Sequence, residues 1–306
     1  MRKFNIDFNK TFKYVIAVYA LIFIIGAVFT CFGVNLDINF SGGTKISYSY
    51  TGDIDVKDIE KVADKQLDAN FSVSKSTALA GDTETFEIAL SGKNALSADK
   101  QEALTETLEK EFKDNKIKLY NSNSVSPTIA GTFFAKSLVA VIITAVLVVI
   151  YVGIRFRRIG GVSAALTALC ALVFDVLITF FVCVIFRLQI DSNYIAVVLT
   201  ILGYSLNDTI VIYDRVRENR KLNPSLGIGD LVNLSVNQTL IRNIVTTVTT
   251  ILAVLTIVVV SEIYGLTTLR TFAIPMAFGL VSGAVSSLFI AGPLWVLWKN
   301  RKQKKA

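Results

Sequence analysis

The residues of this sequence that are best suited to chemistry are acidic side chains placed inside apolar runs. Asp208 lies six residues before Asp214, where its segment becomes charged. In a helix this separation is about 9 Å, so Asp208 lies less than two turns below the charged boundary. Because an ionised carboxylate inside a bilayer costs about 2.5 to 3.5 kcal/mol, such a residue is rarely without a function. We therefore interpret Asp208 as an ion-coupling residue within reach of water from one side.

Arg242 is the candidate partner of this acid. It lies near the start of the next apolar run, at a depth comparable to that of Asp208 if one loop joins the two helices. A guanidinium stabilises a nearby carboxylate, and a cycle of protonation would break and remake the pair. A static ion pair that fixes helix packing is the alternative interpretation.

Polar side chains accompany both residues at helical spacing. Because a polar stripe that faces lipid is unfavourable, we expect these side chains to face the interior of a helix bundle. The supporting residues are Tyr204, Ser205 and Asn207 beside Asp208, and Thr246, Thr249 and Thr250 after Arg242.

A second acid, Asp175, lies near the middle of another apolar run, between Phe174 and Val176. Its own segment carries no cation at matching depth. A carboxyl group in such a setting is either ionised with help from other helices or neutral. A second relay acid and a protonated packing residue are therefore equally compatible with the sequence.

Other kinds of site find little support. The sequence has no histidine, and its three cysteines are scattered through apolar runs, so we predict no metal site, no disulfide framework and no cofactor. An intramembrane aspartyl protease needs two acids that face one water, one of them usually in a GxGD setting, whereas Asp208 stands in SLND. We expect a protein that is not an enzyme.

Six apolar runs must position these residues. With 53% hydrophobic residues and a mean hydropathy of +0.56, the chain is typical of an integral membrane protein. The runs cover residues 14–33, 137–153, 161–186, 194–213, 244–260 and 272–297, each close to the length that spans a bilayer. The sequence predicts a membrane all-α bundle of six transmembrane helices, with a retained first helix rather than a cleaved signal peptide.

Basic residues are distributed unevenly between the loops. Arginines follow the second and fourth runs, and residues 299–306 form a basic tail. The positive-inside rule places both termini in the cytoplasm, and it accounts for the net charge of +7 without a nucleic-acid partner. We expect the basic tail to contact the lipid bilayer.

Residues 35–131 have the composition of a soluble domain. Strand patterns at 44–50, 71–79, 83–90 and 116–121 alternate with helices that Asp55 and Ser97 can cap, and a turn is expected at Gly81 and Asp82. The order β-α-β-β-α-β predicts an extracytoplasmic α+β ferredoxin-like domain. The predicted organisation is therefore 1–34 (N-terminus and first helix), 35–131 (head), 132–298 (five helices) and 299–306 (tail).

The paired glycines Gly42 and Gly43 stand at the entrance to this head. Paired glycines tolerate backbone conformations that other residues resist, so the pair is interpreted as a hinge or a turn. The pair is not followed by the Lys-Ser/Thr ending of a phosphate loop.

Five segments resemble the SecF branch of the SecD/SecF family, which belongs to the resistance-nodulation-division superfamily. They are FSGGT at 40–44, VSP at 125–127, YVGIRFR at 151–157, GYSLNDTIVIYDRVREN at 203–219 and NQTLIRNIVTTVTT at 237–250. The resemblance covers nearly the whole chain, and the fourth segment is the most specific. It implies half of a superfamily transporter in the cell membrane, which pairs with SecD and uses the proton motive force to assist protein export.

The resemblance also implies partners and roles. The partners are a SecD-like subunit, the SecYEG channel and an unfolded secretory protein, with SecA and YajC-like subunits as further candidates. Asp208 matches the family's essential membrane acid, Arg242 its basic partner, and Asp175 an acid that histidine often precedes, where this chain has Phe174. A half-size exporter of small molecules or lipids is the alternative function. Sodium in place of protons is equally compatible with carboxylate and hydroxyl oxygens.

Overall fold

Long apolar helices and one small sheet make up the structure. The computed structural model describes residues 6–67, 71–77, 84–91 and 96–303. In these residues the helices are α1 (Phe8–Cys31), α2 (Ile38–Ser41), α3 (Val56–Asp64), α4 (Ala98–Glu111), α5 (Pro127–Arg155), α6 (Gly161–Ile185), α7 (Ser192–Leu222), α8 (Ile228–Ile263), α9 (Thr267–Ser286) and α10 (Gly292–Gln303). The strands are β1 (Gly43–Tyr50), β2 (Phe71–Thr77), β3 (Glu84–Ser91) and β4 (Lys118–Val125).

The prediction of six membrane helices is confirmed. Helices α1, α5, α6, α7 and α8 each have the length and composition of a span, and α9, a π-helical turn at Ser287–Ala291 and α10 together form the sixth. Helix α8 begins at Ile228, well before the apolar run at 244. Hydropathy marks the strongly apolar part of a helix, whereas the start of α8 is amphipathic and buries Leu231, Val232 and Val236 against the bundle.

The helices divide into an interior set and a peripheral set. Helices α6, α7 and the sixth span are the most buried, while α1, α5 and α8 expose much of their apolar surface. Helix α9 approaches α7 closely because Gly279 has no side chain where Ile201 packs, and a Cβ at this position would collide with that isoleucine. Small residues commonly allow such close packing in membranes.

The head is the predicted ferredoxin-like sheet with two helices on one face. The strand order is β2-β3-β1-β4, and every neighbouring pair is antiparallel. Ile46, Ile88 and Phe86 on the sheet pack with Ile59 of α3 and Leu104 of α4 in one hydrophobic core.

The caps and turns of the head agree with the sequence in part. The Asp55 side chain accepts the backbone N–H of Lys57 at 3.1 Å and caps α3, as expected. Ser97 precedes α4, but its side chain forms no capping hydrogen bond. The turn expected at Gly81 and Asp82 lies outside the described residues.

The segment between α1 and the sheet is fixed to the end of the bundle. The N–H of Asp37 donates to the carbonyl of Ile190 at 3.0 Å, and the N–H of Ile190 donates to the carbonyl of Asn35 at 2.8 Å. Asp191 follows directly, caps α7 and accepts the hydroxyl of Thr271 at 3.1 Å. Burial raises the pKa of the Asp191 carboxyl, and the Thr271 hydrogen bond opposes that shift.

The glycine pair lies where this segment enters the sheet. Gly42 (φ 74°) ends α2, and Gly43 (φ 134°) begins β1, both in the region that favours glycine. A Cβ at Gly42 would lie 3.0 Å from the Cα of Pro127, the first residue of α5. Phe40 packs beside this contact, with its ring 5.2 Å from that of Phe133. A tight turn thus leads from α2 into the head and packs against the start of α5.

Candidate functional site

The Asp208 carboxylate lies inside the bundle with few partners. Its residue is 2% exposed, on the face of α7 that meets α8. The Thr247 hydroxyl donates to Oδ2 at 3.5 Å, the outer limit of a hydrogen bond. In the described part of the chain no second group donates to this carboxylate. A buried acid with one weak contact is poorly stabilised as an anion.

Arg242 lies nearby but does not pair directly with Asp208. Its side chain is exposed, and it forms no ion pair within the residues that the structure describes. Its charge nevertheless acts on the Asp208 carboxylate through space. Arg242 therefore stands at the mouth of the site rather than in contact with the acid.

A polar cavity of about 820 Å³ opens between α7 and α8 beside this pair. Asn207, the neighbour of Asp208, lines it together with Val211, Thr239 and Arg242. The remaining wall carries charged and polar side chains: Asp214, Arg215, Arg217, Glu218, Lys221 and Gln238. Water and ions can therefore approach within one residue of Asp208.

Several of the wall charges neutralise one another. Asp214 forms ion pairs with Arg155 of α5 at 3.0 Å and with Arg217 at 2.9 Å. Arg215 forms an ion pair with Glu218 at 2.6 Å. Partly exposed pairs of this kind contribute little to stability, and of these three only the Arg155–Asp214 pair connects two helices, α5 and α7.

The predicted polar stripes face the bundle only in part. The Tyr204 hydroxyl donates to Thr250 at 3.0 Å, and Ser205 is buried. Thr246 and Thr249 instead donate to carbonyls of their own helix, and Thr249 is exposed on the outside of this chain. The expectation of an inward orientation is wrong for Thr249, because an intrahelical hydrogen bond satisfies its hydroxyl without help from the bundle.

The bundle-facing polar positions of α8 are ones that the sequence reasoning missed. Ser235, Thr239, Asn243 and Thr247 recur at i+4 spacing, and all four are buried. The signal was present in the spacing, but the stripe that begins at Arg242 competed with it on the same helix.

The second acid, Asp175, lies in a closed cage of hydroxyl groups. It is 0% exposed. Ser205 and Ser286 donate to Oδ2 at 2.7 and 2.8 Å, and Ser282 donates to Oδ1 at 2.6 Å. The Tyr19 hydroxyl lies 3.0 Å from Ser282 Oγ and extends the network to α1. Four helices, α1, α6, α7 and α9, therefore meet at this carboxylate.

The close approach of α9 to α7 builds this cage. A Cβ at Gly283 would lie 3.0 Å from the Cβ of Ser205, so glycine is needed for this spacing. The π-helical turn begins at Ser287, directly after Ser286, and Ser287 donates to the Ser205 carbonyl at 3.1 Å. Such turns inside helices are frequent at functional sites.

Neither acid belongs to a cluster that suits a metal ion. Among the described residues no group of three or more His, Cys, Asp or Glu side chains could hold one. The chemistry that the two sites can supply is proton or monovalent-ion binding at single carboxylates.

Comparison with known proteins gives consistent similarities. The sequence profile of the family described as protein export membrane protein SecD/SecF, C-terminal, matches residues 104–301. The protein translocase subunit SecF of Alicyclobacillus acidocaldarius is 32% identical over 91% of this chain and 88% of its own length. SecF of Petrotoga mobilis is 30% identical over 98% of both chains.

Longer relatives match over part of their length. Protein translocase subunit SecDF of Bacillus subtilis is 33% identical over 98% of this chain, which spans 39% of that protein. The crystal structure of SecDF from Thermus thermophilus, described as a translocon-associated membrane protein, superposes with a TM-score of 0.81 at 29% identity, over 97% of this chain and 39% of the other. The fold is therefore shared with the portion of SecDF that corresponds to this chain.

Proposed function

Because the chain belongs to the SecD/SecF family of protein-export membrane proteins, we propose that it is a subunit of a Sec protein translocase that couples ion entry to secretion. The observation that carries the ion coupling is the setting of Asp208. This acid is buried, has one weak hydrogen bond, and lies beside a polar cavity that opens at one end of the bundle. The relatives are named as translocase subunits, which supports a transport role rather than an enzymatic one.

A SecD-like subunit is the proposed partner. Relatives named SecDF are longer single chains, of which this chain spans about two-fifths. The apolar outer surface of α1, α5 and α8 supplies faces for a second half and for lipid. Further proposed partners are the SecYEG channel and an unfolded secretory protein, with SecA and YajC-like subunits as additional candidates.

The proposed location is the cell membrane with both termini in the cytoplasm. The arginine-rich end of α7 and the basic residues that follow α5 and α10 support this orientation. The domain boundaries are proposed at 34, 131 and 298, with residues 35–131 outside the cell. The cavity beside Asp208 then opens toward the cytoplasm.

In the proposed cycle, Asp208 binds and releases a proton. The anion is attracted by the Arg242 charge, whereas the neutral acid is not, so the packing of α7 on α8 depends on the protonation state. Asp175 joins four helices and transmits such a shift between α7 and α1, whose end is fixed to the segment that enters the head. Gly42 and Gly43 are the proposed hinge, and the head engages the emerging chain.

Asp208→Asn tests this proposal directly. Asparagine keeps the shape but carries no exchangeable charge, so we expect the variant to insert normally and to lose proton-stimulated secretion. The measurement is secretion into inverted membrane vesicles that contain the complete complex, with and without a proton gradient.

Glu218→Gln is the matched control, since this acid pairs with Arg215 on the exposed cavity wall and should leave gradient-dependent secretion within twofold of the parent. Full stimulation of the Asp208→Asn variant would sink the proposal. Replacing the proton gradient with a sodium gradient in the same vesicles decides which ion is coupled.

A further inference from the structure

Asn243 is a buried side chain of α8 whose amide group has no hydrogen-bond partner among the described residues. The residue is 1% exposed. In the part of the chain that the structure describes, neither its Oδ1 nor its Nδ2 atom forms a hydrogen bond. Leaving a buried amide unpaired costs about 1 to 3 kcal/mol, so native proteins rarely keep one without a ligand for it.

The position of Asn243 connects the cavity with the acid. Thr247, one turn further along α8, donates to Asp208. Thr239, one turn before Asn243, lines the cavity between α7 and α8. The three residues lie on one face of the helix, and each step along it is about 6 Å. Asn243 is therefore the middle member of a polar series that runs from the cavity to the Asp208 carboxylate.

The facing helix α7 also borders the cavity close to Asp208. Asn207, which precedes Asp208 in sequence, and Val211 both line the cavity. The charged groups that face this region are Arg242 on α8 and Asp214, Arg215, Arg217, Glu218 and Lys221 on α7. Asp175, which contacts α7 through Ser205, is enclosed by serine donors of its own. No charged side chain is thus placed to satisfy the Asn243 amide in the described residues.

We propose that Asn243 holds a water molecule that links Asp208 to the cavity and so acts as a positioning residue for proton access. This inference rests on the proposed function of Asp208. A partner subunit cannot reach an amide that is enclosed within this chain, whereas one water can. An amide offers one acceptor and two donors, and the neighbouring carboxylate offers further acceptors, which meets the two to four contacts that a buried water requires. A proton that arrives on this water as hydronium passes to the carboxylate and leaves a neutral water behind.

The test measures hydrogen-deuterium exchange of the Asp208 carboxyl group in the purified, membrane-reconstituted complex. The infrared carbonyl band of Asp208 is assigned as the band that disappears in Asp208→Asn, and its shift is timed after transfer to D2O. We expect Asn243→Leu, which keeps the branching of the side chain and removes both polar atoms, to slow the exchange at least tenfold. Asn243→Thr, which restores one hydroxyl, should recover the parent rate within threefold.

Ser235→Ala is the matched control on the same buried face of α8. Its hydroxyl has a partner inside the protein, Asn219 at 2.9 Å, and Asn219 keeps Gln238 at 2.8 Å when that hydroxyl is removed. This control should exchange at the parent rate. If the leucine variant does not accumulate, Asn243→Val is measured against the same limits.

An unchanged exchange rate in the apolar variant overturns the inference. The proposed function stands in that case if Asp208→Asn still abolishes proton-stimulated secretion. Conversely, full secretion by Asp208→Asn removes the proposed function without altering the exchange measurement, so the two failures are distinguishable.

Discussion

Two buried acids in one bundle have opposite surroundings. Asp175 accepts three hydroxyl hydrogen bonds of 2.6 to 2.8 Å, one from α7 and two from α9. Asp208 accepts one of 3.5 Å and lies beside a polar cavity. Both residues are almost fully buried, but in the described part of the chain only Asp175 has several close donors that offset the cost of burying a carboxylate. The comparison indicates that Asp175 fixes the helices to one another, while Asp208 is left free to change state.

The elements around the two acids explain this difference. At Asp175, Gly283 lets α9 approach α7 closely enough for serines from both helices to reach one carboxylate. At Asp208, the facing helix is α8, which supplies Thr247 and, one turn away, Asn243, whose amide has no partner among the described residues. One acid is enclosed by helix packing, and the other faces a gap between helices that leads to water.

The largest expected effect is on stability when each acid is replaced by leucine. Asp175→Leu removes the acceptor of three hydroxyls, and at about 0.6 to 1.7 kcal/mol for each interhelical hydrogen bond in a membrane we expect a loss of about 2 to 5 kcal/mol. Asp208→Leu removes a poorly paired acid and should change stability by less than about 1 kcal/mol. The measurement is reversible unfolding of the full chain in bicelles by steric trapping.

Asp175→Asn calibrates this result. The asparagine amide retains one acceptor oxygen, so this variant should lose about half as much stability as Asp175→Leu. The comparison fails if the leucine at Asp208 is the more destabilising of the two. That outcome would indicate that Asp208 is held by contacts as strong as those of Asp175.

A smaller effect is expected from Gly283→Ala, which acts on the cage without touching its acid. The added methyl group would lie 3.0 Å from Ser205 Cβ and 3.2 Å from its Oγ, so α9 must move away from α7. Overpacking of this kind costs about 1 to 3 kcal/mol. The same unfolding measurement checks it.

Gly203→Ala is the control, since a Cβ at that position meets nothing within 4 Å. Alanine is the better helix former by about 1 kcal/mol, so this variant should be neutral or stabilised. Equal losses in the two variants would contradict the role of close packing at the cage.

The sequence was sufficient to predict the six membrane helices and the strands of the head. Hydropathy located the six spans, and period-two patterns located the head strands, because both depend on local composition. The placement of Asp208 inside a helix near a charged boundary also follows from spacing alone.

The partners of the acids could not be predicted in the same way. The cage of Asp175 combines Ser205, Ser282 and Ser286 from two helices, and which serines meet depends on the π-helical turn and on Gly283. Arg242 is a partner that the sequence did predict for Asp208 but that the structure does not place in contact with it. Its distance along the chain is right for pairing, but its azimuth on α8 directs it to the cavity wall, and one residue further along Asn243 is buried instead.

The smallest expected effects come from deleting one hydroxyl at each acid. Ser282→Ala removes a donor at 2.6 Å and should cost about 1 kcal/mol, whereas Thr247→Val, which keeps the shape, removes a donor at 3.5 Å and should cost less than about 0.5 kcal/mol. Steric trapping resolves this difference when both variants are measured in the same bicelles. A loss of 1 kcal/mol or more in Thr247→Val would mean that the hydrogen bond from Thr247 to Asp208 is stronger than its length indicates. Asp208 would then stabilise the packing of the helices, as Asp175 does. A negligible loss in Thr247→Val, together with a clear loss in Ser282→Ala, would show that the two carboxylates differ in the strength of a single hydrogen bond as well as in the number of hydrogen bonds that they accept.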